Sequence, residues 1–500
     1  MSLRRAFLRV FLSVLGLAFA PLAAAETSGV AIVTLDQVAL RPAPRDSAKP
    51  HAILWQGEAL EVRGERLDYL QVYDHRRERG GYVRASQVRR FKLTPGEAPD
   101  LLAVVRFLRG MPGSEALGIG LAAAYVQAAP AEVLNGEDGV EALDALGSFA
   151  ERLAQRASTG TPQNKAAQTV LSAHLDVAAR YGVNFTTHER DGRMQICYDG
   201  DAFRRVLAMP SGQEQRARAA LALTRPECAA GELRPAERRR VDEWRAGVLE
   251  CVDAGALPGY LKNRIHMRRA SIWASLAYQR ARAGEATDDA AQRALAELAG
   301  VNRTELTDDD ARSYSLAAMR VSASRWASVP APAAPDKKLQ ARPNIVALPG
   351  LPGETCILLV DAKNDIAHPL ARRCTYGIVW TGSATLNREG NALALAVQPM
   401  DAWREMWIFR KTGNAWTVAV LPPAATPPEV GYVEFAGWIP GGAQMLVARE
   451  ALGAGKTTRN FELLRLDTLT AVKQAADPAA IAAFKRWQDP SWKRQTLSMR

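Results

Sequence analysis

The chain has 500 residues, enough for about three to five domains at ~100–200 residues each. With 48% hydrophobic and 23% charged residues it has an ordinary globular composition, which excludes a disordered or collagen-like chain. The formal charge of +11, from 64 Lys and Arg against 53 Asp and Glu, is mild for this length. It suits a negatively charged neighbourhood, and without a nucleic-acid-binding motif it excludes a nucleic acid as the expected partner.

Arg4, Arg5 and Arg9 precede an apolar run from Val10 to Ala20, and Pro21-Leu22-Ala23-Ala24-Ala25 follows. A basic start, a short apolar stretch and small residues before a cut describe a secretory signal peptide over 1–25. The run is too short to span a bilayer comfortably, and no later stretch approaches a spanning helix. The mature chain is therefore expected in the periplasm, without a transmembrane segment.

Residues 26–96 read as short strands. Val30, Ile32 and Val33 open the region; Leu60 with Val62, and Leu70 with Val72, alternate; Gly80-Gly81-Tyr82-Val83 is a turn entering a last strand. Closely spaced strands with short turns predict a small β-barrel. The segments Leu40-Arg41-Pro42-Ala43-Pro44, Gly57-Glu58-Ala59-Leu60-Glu61-Val62, Tyr69-Leu70-Gln71-Val72 and Gly81-Tyr82-Val83 resemble, in order and spacing, the bacterial SH3-like (SH3b) domain. Ala39 stands where Asn is commonest in that family, and Asp74 to Gly80 forms a longer, basic loop. The resemblance implies an SH3-like barrel that binds cell-wall peptides or other envelope partners, or serves as a scaffold. Within it, Arg76, Arg77 and Arg79 form the candidate binding loop, opposed only by Glu78, and Tyr82 is the candidate aromatic of the closing strand, expected to be core. An ordinary solvated charged face is the competing reading of the same arginines.

Residues 97–328 are alanine-rich and amphipathic. Glu115 to Ala129, Val140 to Ala157, Asn164 to Tyr181 and six later runs between Asp201 and Trp326 carry apolar residues three and four apart. Thr287-Asp288 and Thr307-Asp308 are cap signals, so the acids Asp308, Asp309 and Asp310 open a helix. Arg190-Asp191-Gly192-Arg193 interrupts the pattern as a hairpin turn. A helical bundle or array with one inserted hairpin is expected.

Prolines 330, 332, 335 and 343 mark a stiff linker over 329–344, and residues 345–476 turn to β patterns. Gly390 and Gly442 sit in two similar segments 52 residues apart. Trp438-Ile439-Pro440-Gly441-Gly442-Ala443-Gln444-Met445-Leu446 resembles the blade motif of periplasmic Tol-type β-propellers. An antiparallel sandwich fits the same pattern. The tail, 477–500, mixes aromatic and basic residues and is expected to form a helix that docks on the β domain, a partner being the alternative.

Five cysteines, Cys197, Cys228, Cys251, Cys356 and Cys374, include no Cys-x-x-Cys pair and no zinc spacing. In an oxidising compartment Cys356 and Cys374 are natural partners. In the middle region Cys197 with Cys228 is favoured and Cys228 with Cys251 is the rival; Cys251, in a helical pattern, is expected as a buried thiol. Gly453-Ala454-Gly455-Lys456-Thr457-Thr458 lacks the earlier glycine and following helix of a phosphate loop and reads as a hairpin. No catalytic, cofactor or metal motif emerges from the six histidines or the acidic runs. The sequence thus predicts a multidomain α+β protein, exported, acting as a non-enzymatic envelope binding or scaffold protein. Its partner would be a cell-wall or other envelope component, or a periplasmic protein. A periplasmic hydrolase with no recognisable motif is the alternative.

Overall fold

The computed structural model describes residues 29–159, 165–190, 193–229, 233–329, 342–425, 430–453 and 456–495. The leader expected over 1–25, most of the linker expected over 329–344, the Asp191-Gly192 turn and the Ala454-Gly455 turn lie outside the described residues.

In chain order the elements begin with β1 (Val30–Val33), β2 (Val38–Leu40), β3 (Ala52–Leu54), β4 (Ala59–Arg66), β5 (Tyr69–Asp74), β6 (Arg79–Arg84) and β7 (Val88–Phe91). Helices α1 (Ala98–Arg109), α2 (Glu115–Ala128), α3 (Ala131–Leu134), α4 (Glu137–Thr159) and α5 (Lys165–Arg180) precede the hairpin β8 (Phe185–Arg190) and β9 (Arg193–Tyr198). Then come α6 (Asp201–Ala208), α7 (Gln213–Leu223), α8 (Pro235–Glu250), α9 (Gly259–Arg282), α10 (Asp288–Ala299) and α11 (Asp308–Ser324). The C-terminal strands are β10 (Asn344–Pro349), β11 (Thr355–Val360), β12 (Ala371–Thr375), β13 (Ile378–Leu386), β14 (Ala392–Met400), β15 (Trp403–Thr412) and β16 (Ala415–Leu421). They continue as β17 (Val430–Trp438), β18 (Gln444–Gly453), β19 (Lys456–Arg465) and β20 (Ala471–Ala475), and the chain ends in α12 (Ala482–Trp487) and α13 (Pro490–Gln495).

Contacts divide the chain into two compact units, Met1–Pro130 with Asn164–Tyr181, and Ala131–Gln163 with Gly182–Arg500. These are not the divisions drawn on composition at 96 and at 329–344. Helices α1, α2 and α5 belong with the N-terminal sheet, and the remaining helices belong with the C-terminal strands.

In the first unit the strands run in the order β6-β5-β4-β1-β7, with β2–β3 a separate pair joined to β6 by one bridge, Arg41 to Tyr82. The expected barrel is not closed, because β6 and β7 remain opposite ends of this order. Period-two alternation sends Leu60, Val62, Leu70 and Val72 into one core with Val33 and Val83. The helices sit close against this sheet because two glycines meet. Gly57 has φ +88°, and a Cβ there would lie 2.3 Å from the Ala116 carbonyl oxygen. A Cβ on Gly120 would lie 2.7 Å from the Gly57 carbonyl oxygen, which accepts a 2.7 Å hydrogen bond from the Tyr181 hydroxyl. Buried His174 on α5 adds a 2.8 Å contact from Nε2 to Asp36 Oδ1.

The second unit is built on the long helix α9, whose Ile265, Trp273 and Leu276 share one cluster with α10, α11 and the β residues Trp380 and Ala396. Met319 and Ala323 of α11 pack with Ala402, Val430 and Tyr432. The helices and the C-terminal strands thus share one core. Two meanders, β13-β14-β15-β16 and β17-β18-β19-β20, form an eight-stranded sheet that is antiparallel except where β15 meets β17. The similar segments around Gly390 and Gly442 are the first turns of these meanders, and the Gly441 amide donates to Glu389 at 2.7 Å. Strands β10, β11 and β12 form a separate three-stranded sheet. The tail docks as expected of it, with Phe484 and Trp492 packed edge-on against Phe461.

Disulfides join Cys197 to Cys228 and Cys356 to Cys374. Cys251 is free but exposed, not the buried thiol expected. Helix α8 ends at Glu250, so Cys251 falls just past the last turn, while Leu249 and Val252 on either side take the buried positions. Among the described residues no helix is long and apolar enough to cross a membrane.

Candidate functional site

The basic loop of the first unit is partly consumed by the fold. Glu58, with 1% of its side chain exposed, sits at its centre. Arg77 donates to both Glu58 oxygens at 3.0 and 3.1 Å, to Asp74, and to the Ile53 carbonyl at 3.2 Å. Arg180 of α5 reaches the same carboxylate at 3.1 Å, and Arg76 lies 3.9 Å from it. Burial pushes the Glu58 carboxyl up, against the pull of Arg77. Arg77 is therefore a structural cation, while Arg76 and Arg79 are exposed, the latter donating to the His51 carbonyl at 3.0 Å. Tyr82 is half-buried rather than core, and its neighbour Val83 is fully buried; the Tyr82 backbone exchanges hydrogen bonds of 2.8 and 3.0 Å with Arg41. Arg84 is tied to Asp46 and Asp68. The basic stretch is thus not one patch: Arg76 and Arg79 lie at the β5–β6 turn, and Arg89 and Arg90 lie on β7 at the far edge.

Beside β7 the first unit carries a groove of about 390 Å³. Ala103, Val104, Phe107 and Leu108 of α1 form one wall, Leu117 and Leu121 of α2 the other, and Thr34 and Arg89 close the strand side. Phe107 stands 70% exposed. Helix α1, which periodicity did not single out, carries apolar residues on two faces. Leu101, Leu102, Val105 and Leu108 are buried, whereas Ala103 and Phe107 are exposed and Val104 is half-buried.

The second unit holds a cavity of about 400 Å³ between the β8–β9 hairpin, α6 and α8. The Cys197–Cys228 bridge, Tyr198, Trp244, Glu151, Arg225 and Arg245 line it. Glu151 lies 3.3 Å from Arg225, which also holds Glu227 at 2.8 Å. Burial pushes the Glu151 carboxyl up, with Arg225 opposing. Burial, with Asp199 and Asp201 nearby, pushes the Tyr198 hydroxyl up to about 12; that hydroxyl accepts a 2.8 Å bond from the Ala202 amide.

From the cavity wall a polar chain continues inward. Arg245 donates to Asp242 at 3.4 Å, and Asp242 Oδ2 accepts from Gln279 at 2.7 Å and faces Ser275 Oγ at 2.9 Å. Ser275 Oγ is also 3.0 Å from Asp401 Oδ2. A hydroxyl has one proton to donate, so Ser275 serves one of the two carboxylates at a time, while its oxygen accepts from Gln279 at 3.0 Å. Desolvation by the surrounding protein and the nearby Asp242 raise the Asp401 carboxyl, against Arg320 at 3.8 Å and the Ser275 hydroxyl. Glu151, Asp242 and Asp401 were not singled out in the sequence, because no local pattern marks an acid that long-range packing buries. The one cluster with metal-ligand chemistry among the described residues, Glu354 with Cys356 and Cys374, has both sulfurs committed to a disulfide.

No protein-family model, curated protein or solved structure matches this chain.

Proposed function

We propose that the chain is an exported cell-envelope protein that works by binding, with the first unit as an SH3-like recognition module and the C-terminal meanders as a propeller-like partner surface. Residues 1–25 supply the export signal, and two disulfides suit an oxidising compartment. The observation that carries the binding role is the open apolar groove beside β7, with Phe107 in solvent at its wall. Exposed apolar surface rimmed by charge is costly to keep unless something covers it. The recognition module extends beyond residues 26–96, because Arg180 and Tyr181 complete its charge centre and its helix contact. The test is cell fractionation of the full chain followed by sacculus and membrane sedimentation. Envelope association that salt weakens supports the reading, and a chain found only in the cytoplasm refutes it.

The cavity of the second unit favours one other reading, a periplasmic hydrolase directed at the cell wall. There Glu151, with its carboxyl raised beside Arg225, acts as the acid–base group. Envelope-polymer hydrolysis by the purified chain that Glu151→Gln abolishes, without loss of folding, would move the assignment to this reading.

A further inference from the structure

We infer that the groove bounded by β7, α1 and α2 binds an extended peptide segment in which apolar and acidic residues alternate, and that this segment adds a strand to the free edge of β7. The inference rests on the recognition role proposed above and names its partner.

The backbone supplies the first reason. Strand β7 is the last in its sheet, and among the described residues no strand pairs with its outer side. Its register with β1 is Val30 to Phe91, Ala31 to Arg90, Ile32 to Arg89 and Val33 to Val88. The Thr34 amide donates to the Gln87 carbonyl at 3.0 Å, which fixes the phase of the ladder. Hydrogen-bonded pairs alternate with non-bonded ones, so Ile32–Arg89 and Val30–Phe91 bond inward while Val88 and Arg90 turn their groups outward. The Val88 N–H is taken by the Ala85 carbonyl. Among the described residues the Val88 C=O and both polar groups of Arg90 remain for an incoming strand, which supplies main-chain affinity without side-chain specificity.

The side chains supply the specificity. Cross-strand partners share a face, so Arg89 lies on the side of buried Ile32, at the groove, and Arg90 lies on the opposite face with Ala31. An added strand alternates in the same way. Its groove-side residues meet Val104, Phe107, Leu117 and Leu121 and must be apolar. Its other residues meet exposed Arg90, which lies 4.0 Å from Glu65, itself exposed. Arg89 at the groove rim and exposed Lys92 add to the positive field along this edge. The same charges argue against a second copy of the chain, since β7 paired with β7 would oppose arginine to arginine.

The test uses the chain from Glu26 to Arg500 and a fluorescein-labelled ten-residue peptide of alternating leucine and aspartate, followed by anisotropy. A peptide of alternating leucine and lysine is the control. Expected are saturable binding of the first peptide only, weakening with salt, and at least a tenfold loss in the double variant Arg89→Glu, Arg90→Glu and in Phe107→Ser. All three changed residues are exposed, so unchanged melting of the variants verifies folding. Peptide should also slow exchange of the Arg90 amide. Equal binding of both peptides, insensitivity to these variants, or an unchanged Arg90 amide overturns the inference. Envelope attachment separates the two levels. A double variant that loses the peptide yet sediments with envelope as wild type overturns this groove and leaves the envelope reading standing. Wild-type protein that never associates with envelope brings down the reading itself.

Discussion

Replacing Arg77 by Ser should damage the first unit, whereas replacing Arg79 by Ser should not. Both residues stand in one loop and look equivalent in sequence. Arg77 keeps 23% of its side chain exposed and bridges two nearly dry carboxylates, Glu58 at 1% and Asp74 at 4%. Breaking a buried ion pair from one side costs about 3–5 kcal/mol, because the surviving charge stays desolvated. Here Arg180 still reaches Glu58, and Asp74 still accepts from the backbone amides of Arg76 and Arg77 at 3.0 and 3.3 Å. The partial exposure of Arg77 and these remaining partners reduce the cost to about 2–3 kcal/mol. Arg79 is exposed and makes one bond to a carbonyl, so its loss should stay within about 0.5 kcal/mol. Amide exchange of β4 and β5 in the full chain measures the difference. At tenfold for each 1.4 kcal/mol, Arg77→Ser should speed it roughly 10- to 100-fold over Arg79→Ser. Exchange within twofold between the two variants would refute the assignment of Arg77 as a structural cation.

Asp401 should make the second unit less stable as pH rises. Its carboxyl is raised in the fold, so its contribution is fully present below the ordinary aspartate range of about 4 and is lost as pH climbs through the raised value. Asp401→Asn cannot titrate, so its melting temperature should vary less with pH over that window; parallel profiles for the two proteins would count against a raised Asp401 carboxyl. Glu434 binds Arg325 and Arg404, all three at most 4% exposed, and Glu434→Ala should cost about 3–5 kcal/mol in urea denaturation, with a loss under 1 kcal/mol contradicting this. Native alkylation with iodoacetamide should label Cys251 alone, and non-reducing peptide maps should show Cys197–Cys228 and Cys356–Cys374; label on any of those four would contradict the pairing.

What could be read in the sequence was local. Alternation marks a strand's inner face directly, so Leu60, Val62, Leu70 and Val72 were legible, as was the cap at Thr307, whose hydroxyl accepts from the Asp310 amide at 3.2 Å. Periodicity says that a face must be covered but not by what. The assignment of α5 to the first unit rests on His174, Arg180 and Tyr181 meeting residues more than a hundred positions away, and no local pattern carries that. The same limit hid Glu58. It follows Gly57 at the start of an alternating strand, where an acid reads as solvated, and only its arginine partners reveal it as buried. Helix α1 is the instructive case, because part of its apolar surface is not covered within the unit. One apolar face packs into the unit, and beside it Ala103, Val104 and Phe107 line the groove. A helix that keeps two apolar faces while one meets solvent has a second face to be covered, and the charges of Arg89 and Arg90 beside it select an acidic cover. The missed helix and the proposed binding edge are therefore one feature of the sequence.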